Sequence, residues 1–314
     1  SKKANGETYG MSFPDLSILD MVRAQKLLLD HLEVSKLFAV VGGSMGGMQA
    51  LQWIVEYPDF SEKAIIIAAT AQHTVQTIAF NEAGRRSIVG DPGWKEGEYN
   101  EKEGPHKGLA VARMMAHITY LSDHGMEEKF GGSKRLDSDD QFEFSVQRYL
   151  DYQGKKFINR FDANSYLKLT EALDRFDLSG ENELEKNLSK VEAQTLVIAF
   201  SSDWLYTPEQ NKKIAAALQA TGKPASYIQI EDMHGHDSFL IDSLAFLRSV
   251  RLFLEGTDEE EEKRSKVDGF RKLRNRYEVK KEADFKVIDN WVEDGSHILD
   301  LGCGRGLLLE HLRE

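Results

Sequence analysis

One serine in this sequence stands where a nucleophile would be exposed and activated. Gly42-Gly43-Ser44-Met45-Gly46 follows an apolar stretch of strand character and precedes a stretch of helical character from Met48 to about Tyr57. A chain that turns from strand to helix this sharply needs glycine where a side chain would collide. The turn holds Ser44 at the start of a helix, and the N–H of Met45 points to where an oxyanion would form. The segment therefore predicts a catalytic serine.

Two other interpretations of this turn stay open at this point. A glycine-rich turn between a strand and a helix also binds phosphate through its backbone N–H groups. Many such turns have only a structural role. The strand before the turn and the amphipathic helix after it favour catalysis.

A nucleophilic serine needs a base, and the base needs an acid to orient it. Asp203 follows the predicted strand at 195–200, and both His234 and His236 follow the predicted strand at 225–230. The carboxyl ends of parallel strands meet at one edge of a sheet, where ligands bind. Ser44, Asp203 and one of the two histidines are therefore expected to form a triad.

The elements that position these residues alternate between strands and helices, which predicts an α/β fold with a parallel sheet. Four strands are predicted within residues 1–254, at 37–41, 64–69, 195–200 and 225–230. Helices are predicted at 20–32, 48–57, 208–220 and from 237 to about 254. Residues of about 75–190 show helical patterns without a good strand, and we expect them to form a lid over the serine.

Composition limits the class of protein. The 314 residues are 41% hydrophobic with a net charge of −12, so nucleic acid and anionic membranes are not expected partners. No apolar stretch approaches the ~20 residues that a membrane span needs. The N-terminus lacks the apolar core of a signal peptide, and Cys303 is the single cysteine, which suits a reducing compartment. A cytoplasmic location is expected.

The C-terminal part has its own pattern. Residues 255–268 are a charged linker, and a globular pattern restarts over 269–314. A helix is predicted at 283–292 and a strand at 297–301, followed by Gly302-Cys303-Gly304-Arg305-Gly306. A glycine loop after a strand indicates a Rossmann-like nucleotide-binding unit.

Residues 7–254 resemble homoserine O-acetyltransferases of the MetX type, members of the α/β-hydrolase superfamily. The segments that carry the resemblance are spread along the chain: 42–53, 20–25, 112–122, 149–176, 202–204 and 235–240. The resemblance implies that Ser44 is the nucleophile, Asp203 the acid and His236, rather than His234, the base. It also implies acetyl-CoA and L-homoserine as substrates and a homodimer, with no cofactor or metal for the acyl transfer.

The resemblance further assigns Arg113 and Tyr120 to the homoserine carboxylate and Asp237 to its ammonium group. A guanidinium can grip a carboxylate with two hydrogen bonds, and an ammonium group needs an anion. Arg113 and Tyr120 are seven residues apart, so they share one helical face. Without the resemblance, a salt bridge on a lid helix is the preferred role of Arg113.

The chain also departs from the pattern of the family. Its first residues match a point well inside that pattern, so we expect an N-terminally truncated sheet without its first strands. The loop that supplies a second oxyanion-hole N–H is then missing as well. In the usual strand order, this leaves one edge of the strand at 37–41 open.

The C-terminal segment resembles MetW and the first motif of class I S-adenosylmethionine methyltransferases. By that resemblance, Asp300, Gly302, Gly304 and Gly306 would contact S-adenosylmethionine in a complete domain. The acidic residue expected after the second strand would lie beyond Glu314, so the segment is expected to be only the beginning of such a domain.

The expected function is homoserine O-acetyl transfer from acetyl-CoA through an acyl-Ser44 intermediate, in methionine biosynthesis. A succinyl donor is an alternative, and the sequence does not place a partner for its extra carboxylate. An ester hydrolase with the same triad is another alternative. A scaffold without activity is the non-enzymatic one.

Overall fold

A computed structural model describes residues 2–100, 102–133, 141–180, 183–241 and 243–255, together with the backbone of 298–301. Its strands are β1 (Leu37–Gly43), β2 (Ser61–Ile67), β3 (Gln194–Phe200), β4 (Ala225–Ile230) and β5 (Ile298–Leu301). The strands form one parallel sheet with the order β4-β3-β2-β1-β5. The four strands predicted within residues 1–254 are confirmed, each within about three residues at its ends.

The prediction that one edge of β1 is open is wrong for the described residues. β5 pairs in parallel with β1 there, with Ala39 opposite Ile298 and Gly42 opposite Leu301. The sequence assigned this strand to the beginning of a separate Rossmann-like domain. A short apolar strand satisfies the backbone groups of a free sheet edge wherever it can reach one, and pattern alone does not say which edge it joins.

Helices cover both faces of the sheet. They are α1 (Ile18–His31), α2 (Met45–Glu56), α9 (Pro208–Ala220) and α10 (Leu244–Glu255). The larger core joins one face of the sheet to α1, α2 and α9, and includes the fully buried Trp53 and Ile214. A second core packs Phe200 and Ile230 against α10 on the other face. Strands buried on both faces explain the continuous apolar stretches in the sequence.

The stretch between β2 and β3 is helical, as predicted. It contains α3 (Val75–Val89), α4 (His106–Tyr120), α5 (Asp123–Phe130), α6 (Ser145–Ile158), α7 (Ala163–Asp174) and α8 (Leu184–Leu188). It has its own core, in which Ile88, Leu109 and Phe157 are buried.

The helical stretch leaves and rejoins the sheet through a narrow neck. Gln72 and Asp177 form an antiparallel bridge, and the Gln72 side chain donates to the Asp177 carboxylate at 2.9 Å. The N–H of His73 donates to the carbonyl of Phe176, and that of Leu178 to the carbonyl of Ala71. The two ends of the helical stretch are therefore tied together beside the sheet.

The helix predicted from 237 to about 254 is divided in two. A 3₁₀ helix, Gly235–Leu240, comes first, and α10 begins at Leu244. Gly235 has φ +76°, and a Cβ there would lie 2.5 Å from the backbone nitrogen of Ser122. The backbone of this loop thus packs directly on the end of α4.

None of the helices in the described part of the chain combines the length and the apolar character that a membrane span requires.

Candidate active site

The turn after β1 holds Ser44 in a strained backbone conformation. Ser44 has φ +58° and ψ −123°, a region that costs a non-glycine residue ~1–3 kcal/mol. Its N–H donates to the carbonyl of Ile67 in the next strand at 2.9 Å, which fixes the turn on the sheet. α2 begins at Met45, so the Met45 N–H is among the first-turn donors that the helix itself does not satisfy.

The structure brings Ser44, His236 and Asp203 together by hydrogen bonds. The Nε2 atom of His236 lies 2.8 Å from the Oγ of Ser44, and its Nδ1 atom lies 2.8 Å from Oδ2 of Asp203. Because a carboxylate accepts, the Nδ1 atom carries a proton, and Nε2 is left to accept the proton of Ser44. His236 is 3% exposed and Asp203 is 2% exposed. The arrangement can therefore generate a serine nucleophile.

Two backbone N–H groups orient the carboxylate of Asp203. Leu205 and Tyr206 donate to its Oδ1 atom at 2.9 Å and 3.0 Å. The acid thus receives hydrogen bonds on both oxygens, which compensates the burial of a carboxylate.

His234 is held away from the serine. Its Nδ1 atom lies 2.8 Å from Oδ1 of Asp232, and its own N–H donates to the same oxygen. Its side chain is 40% exposed. Between the two histidines that the sequence left open, the hydrogen bond to Ser44 belongs to His236.

Aromatic rings enclose the His236 imidazole. The rings of Tyr120, Tyr206 and Phe239 lie with their centroids 5.9, 5.2 and 5.4 Å from it. Their faces and edges restrict the imidazole to one orientation and exclude water from it.

Arg113 and Tyr120 lie on one face of α4, as their spacing predicted. The guanidinium of Arg113 stacks 5.5 Å from the Tyr120 ring and 4.7 Å from the Phe157 ring. Tyr120 in turn contacts the His236 imidazole. One aromatic ring thus separates the catalytic base from a positive charge.

Asp237 is mostly buried beside this positive charge. Burial raises the pKa of its carboxyl, and the nearby His236, Arg113 and Lys129 lower it by smaller amounts. Asp237 also lines a cleft of about 420 Å³ together with Lys129, His234 and Leu240. The site therefore offers an anion and a cation beside the triad.

His117 belongs to the same helix face and was not singled out by the sequence. It is 6% exposed, and its Nδ1 atom lies 3.1 Å from the Tyr149 hydroxyl. Burial, with smaller contributions from Arg113 and Lys129, lowers its pKa from 6.5 to about 4, so the ring is neutral near pH 7. Its spacing of four residues from Arg113 and three from Tyr120 was the available signal.

The structure describes only part of the set of residues expected to contact S-adenosylmethionine. Asp300 lies on β5, and Gly302, Gly304 and Gly306 fall outside the described residues. Among the residues that the structure describes, no group of three or more His, Cys, Asp or Glu side chains is arranged to hold a metal ion.

Comparison with known proteins agrees with the fold. Residues 1–243 match the family model described as the alpha/beta hydrolase fold, and residues 282–314 match that of methionine biosynthesis protein MetW. Two solved structures each superpose on about four fifths of this chain at 30% identity. They are esterase E22, in an L374D mutant, with a TM-score of 0.75 and 71% of its chain covered, and homoserine O-acetyltransferase from Bacillus anthracis, at 0.74 and 69%.

Curated relatives are closer in sequence. Homoserine O-acetyltransferase from Leptospira biflexa is 50% identical over 254 residues, which cover 81% of this chain and 67% of the relative. The enzyme of that name from Methanohalobium evestigatum is 54% identical over 244 residues, which cover 76% of this chain and 50% of the relative. The chain thus spans between half and two thirds of the length of these relatives.

The sheet, the strained serine turn and the family-model match define a protein of the α/β hydrolase fold class. That class contains both hydrolases and transferases, so the fold does not name the reaction. At the identities just given, the chain belongs to the homoserine O-acetyltransferase family, a family of acyltransferases.

Proposed function

We propose that this chain carries the catalytic machinery for transfer of an acetyl group from acetyl-CoA to the hydroxyl of L-homoserine. The observation that carries the proposal is the hydrogen-bonded series from Ser44 through His236 to Asp203, with a cation and an anion beside it. The names of the similar proteins support the choice of acyl group and acceptor.

In the first half-reaction, His236 accepts the proton of Ser44 as the serine oxygen attacks the thioester carbonyl. The Met45 N–H stabilises the oxyanion of the tetrahedral intermediate. The carbon–sulfur bond then breaks, and His236 returns the proton to the coenzyme A sulfur. The products of this step are acetyl-Ser44 and the free thiol.

In the second half-reaction, the homoserine hydroxyl takes the place of the thiol. His236 accepts the hydroxyl proton as that oxygen attacks acetyl-Ser44, and returns it to Ser44 as the ester leaves. O-acetylhomoserine and the free enzyme result, so no atom is gained or lost over the cycle.

Arg113 and Asp237 are proposed to select the acceptor. A guanidinium against Tyr120 suits a carboxylate, and the buried Asp237 suits an ammonium group. Because burial raises the Asp237 pKa, acceptor binding should weaken as the pH falls through that pKa. A hydrolase acting on neutral esters has no use for such a pair.

We also propose how the chain is divided and assembled. It is divided into an acyltransferase part at 1–254, a linker at 255–268 and a partial S-adenosylmethionine-binding part at 269–314. The protein is proposed to form a homodimer.

Ester hydrolysis is the second candidate, favoured by the similarity to esterase E22. The two reactions differ in whether water or homoserine resolves acyl-Ser44. The test incubates purified protein with acetyl-CoA or succinyl-CoA, each with and without homoserine, and measures thiol release and acylated homoserine. Transfer predicts thiol release that depends on homoserine and prefers acetyl-CoA. Equal release without homoserine would favour a hydrolase, and a preference for succinyl-CoA would change the donor.

A further inference from the structure

A second buried histidine–carboxylate pair lies next to the triad. His73 follows β2 at the neck of the helical stretch and is 6% exposed. Its Nδ1 atom lies 3.2 Å from Oδ1 of Asp174, and its Nε2 atom lies 2.9 Å from the hydroxyl of Tyr206. The acylation chemistry described above does not use this pair.

The charge of Asp174 is held by several donors. Arg85 donates to its Oδ2 atom at 2.6 Å, and Asn81 donates to its Oδ1 atom at 2.7 Å. Burial acts to raise the Asp174 pKa, but the hydrogen bonds from His73, Asn81 and Arg85 together lower it. Asp174 is therefore a carboxylate near pH 7, and it accepts from His73.

The carboxylate of Asp174 determines where the protons of His73 and Tyr206 lie. With one proton on its ring, His73 must carry it on Nδ1, facing Asp174, so that Nε2 is an acceptor. The hydroxyl of Tyr206 is the donor at that position. The orientation of the Tyr206 side chain is thus fixed from the neck of the helical stretch.

Tyr206 touches two members of the triad by different parts of the residue. Its backbone N–H donates to Oδ1 of Asp203 at 3.0 Å. Its ring packs edge-on against the His236 imidazole, with centroids 5.2 Å apart and planes at 74°. Tyr206 is 4% exposed, so no solvent-filled space allows the ring to turn.

We propose that Tyr206 is a positioning residue for the triad, and that the His73–Asp174 pair fixes it because the Nε2 atom of His73 accepts a hydrogen bond from the Tyr206 hydroxyl. The proposal rests on Ser44, His236 and Asp203 acting as proposed above. It assigns a role to a buried histidine and a partly buried aspartate outside the triad, and it connects the neck of the helical stretch to the catalytic base.

The test removes single hydroxyl groups. Tyr206→Phe keeps the ring and the backbone but loses the bond to His73. Tyr99→Phe is the matched control, since the Tyr99 hydroxyl also donates a hydrogen bond, to Asp162, and accepts one from the Asn164 N–H, at a place away from the triad. The first readout is the rate at which a fluorophosphonate labels Ser44, which needs the triad but neither acetyl-CoA nor homoserine.

We expect Tyr206→Phe to slow labelling about 5–10-fold, the size that one hydrogen bond explains, with Tyr99→Phe unchanged. In the transfer reaction kcat should fall by a similar factor while KM for homoserine stays the same. The low-field proton NMR signal of the His236–Asp203 hydrogen bond should shift in Tyr206→Phe and not in Tyr99→Phe. If the Tyr206 hydroxyl only stabilised the fold, the labelling rate, kcat and the NMR signal would all stay unchanged at a temperature where the variant is folded.

The role of His73 is tested by a double variant. Because one series of hydrogen bonds carries the effect, His73→Gln combined with Tyr206→Phe should label no more slowly than the slower single variant. Wild-type labelling by Tyr206→Phe, or additive losses in the double variant, would overturn the proposal. If wild-type protein labels at Ser44 but transfers nothing to homoserine, the proposed substrate fails while the comparison of variants still decides the positioning role.

Discussion

A Cβ atom at Gly42 would lie 2.1 Å from the carbonyl oxygen of Gly46. The strand that enters the turn and the helix that leaves it are therefore in direct backbone contact across Ser44. Atoms this close repel strongly, and neither backbone can move without moving the serine. The glycine at this position is a condition for the strained turn.

Gly42→Ala should consequently lower the free energy of unfolding by several kcal/mol or prevent folding, because the collision is with backbone rather than with a mobile side chain. Gly132→Ala is the control, since a Cβ there has no neighbour within 4 Å. Thermal unfolding followed by circular dichroism measures both variants. A Gly42→Ala protein with unchanged stability would contradict the close contact.

The nucleophile and its intermediate can be observed directly. Ser44→Ala should abolish acyl transfer and preserve the fold, because the hydrogen bond of the Ser44 side chain is with the catalytic base His236. Mass spectrometry of rapidly quenched protein with acetyl-CoA alone should show one acetyl group on Ser44. Turnover without this adduct would indicate direct transfer instead.

The two histidines after β4 should differ widely in effect. His236→Ala should reduce the transfer rate by several orders of magnitude, as loss of a triad member does, because Nε2 of His236 is the atom that contacts Ser44. His234→Ala should cost far less, since that ring is bonded to Asp232. Steady-state rates of the two purified variants make the comparison. The opposite ranking would move the base to His234.

Arg113 should matter to the acceptor and not to the donor. Arg113→Ala should raise the KM for homoserine at least tenfold and leave the rate of Ser44 acetylation unchanged, because only the acceptor presents an amino-acid carboxylate. Arg160→Ala is a suitable control, since its guanidinium lies 5.9 Å from the centroid of the same Phe157 ring. Equal damage to both half-reactions would mean that Arg113 is structural.

Local sequence signals were sufficient for four strands of the sheet and for the loops that carry the triad. Ser44, Asp203 and His236 each lie within six residues after the end of a strand with a clear apolar pattern, so the topology itself brings the three loops together. The choice of His236 over His234 came from resemblance, because both follow the same strand. The hydrogen bonds in the structure separate them physically, since His234 is bonded to Asp232 and His236 to Ser44.

Sequence patterns did not predict the contacts between segments that are far apart in the chain. His73 and Asp174 are about a hundred residues apart, and nothing in either local sequence indicates that they meet at the neck of the helical stretch. The place of β5 beside β1 is a similar case, because the pairing of a short apolar strand depends on which edge is free. Tyr206 lies two residues after the segment 202–204 that carried the resemblance, and its contact with His236 depends on a side-chain direction.

His117 gives stability a pH dependence that can be isolated. Its pKa is about 4 in the folded protein and 6.5 in an unfolded chain, mainly because the ring is buried. Between these values the unfolded chain binds a proton that the folded protein does not. The contribution of His117 to the free energy of unfolding is therefore fully present above pH 6.5 and decreases as the pH falls towards 4.

We expect this decline to be on the order of 1–2 kcal/mol, after allowance for solvent screening. His117→Gln should remove it, so the difference in unfolding free energy between wild type and variant should change with pH inside this window and be constant above it. His124→Gln, at an exposed ring on the neighbouring helix, is the control substitution. Denaturant titrations at half-unit steps from pH 4.5 to 8 provide the measurement. A His117→Gln difference that is constant over the whole range would show that the ring takes up its proton over the same pH range in the folded protein as in the unfolded chain.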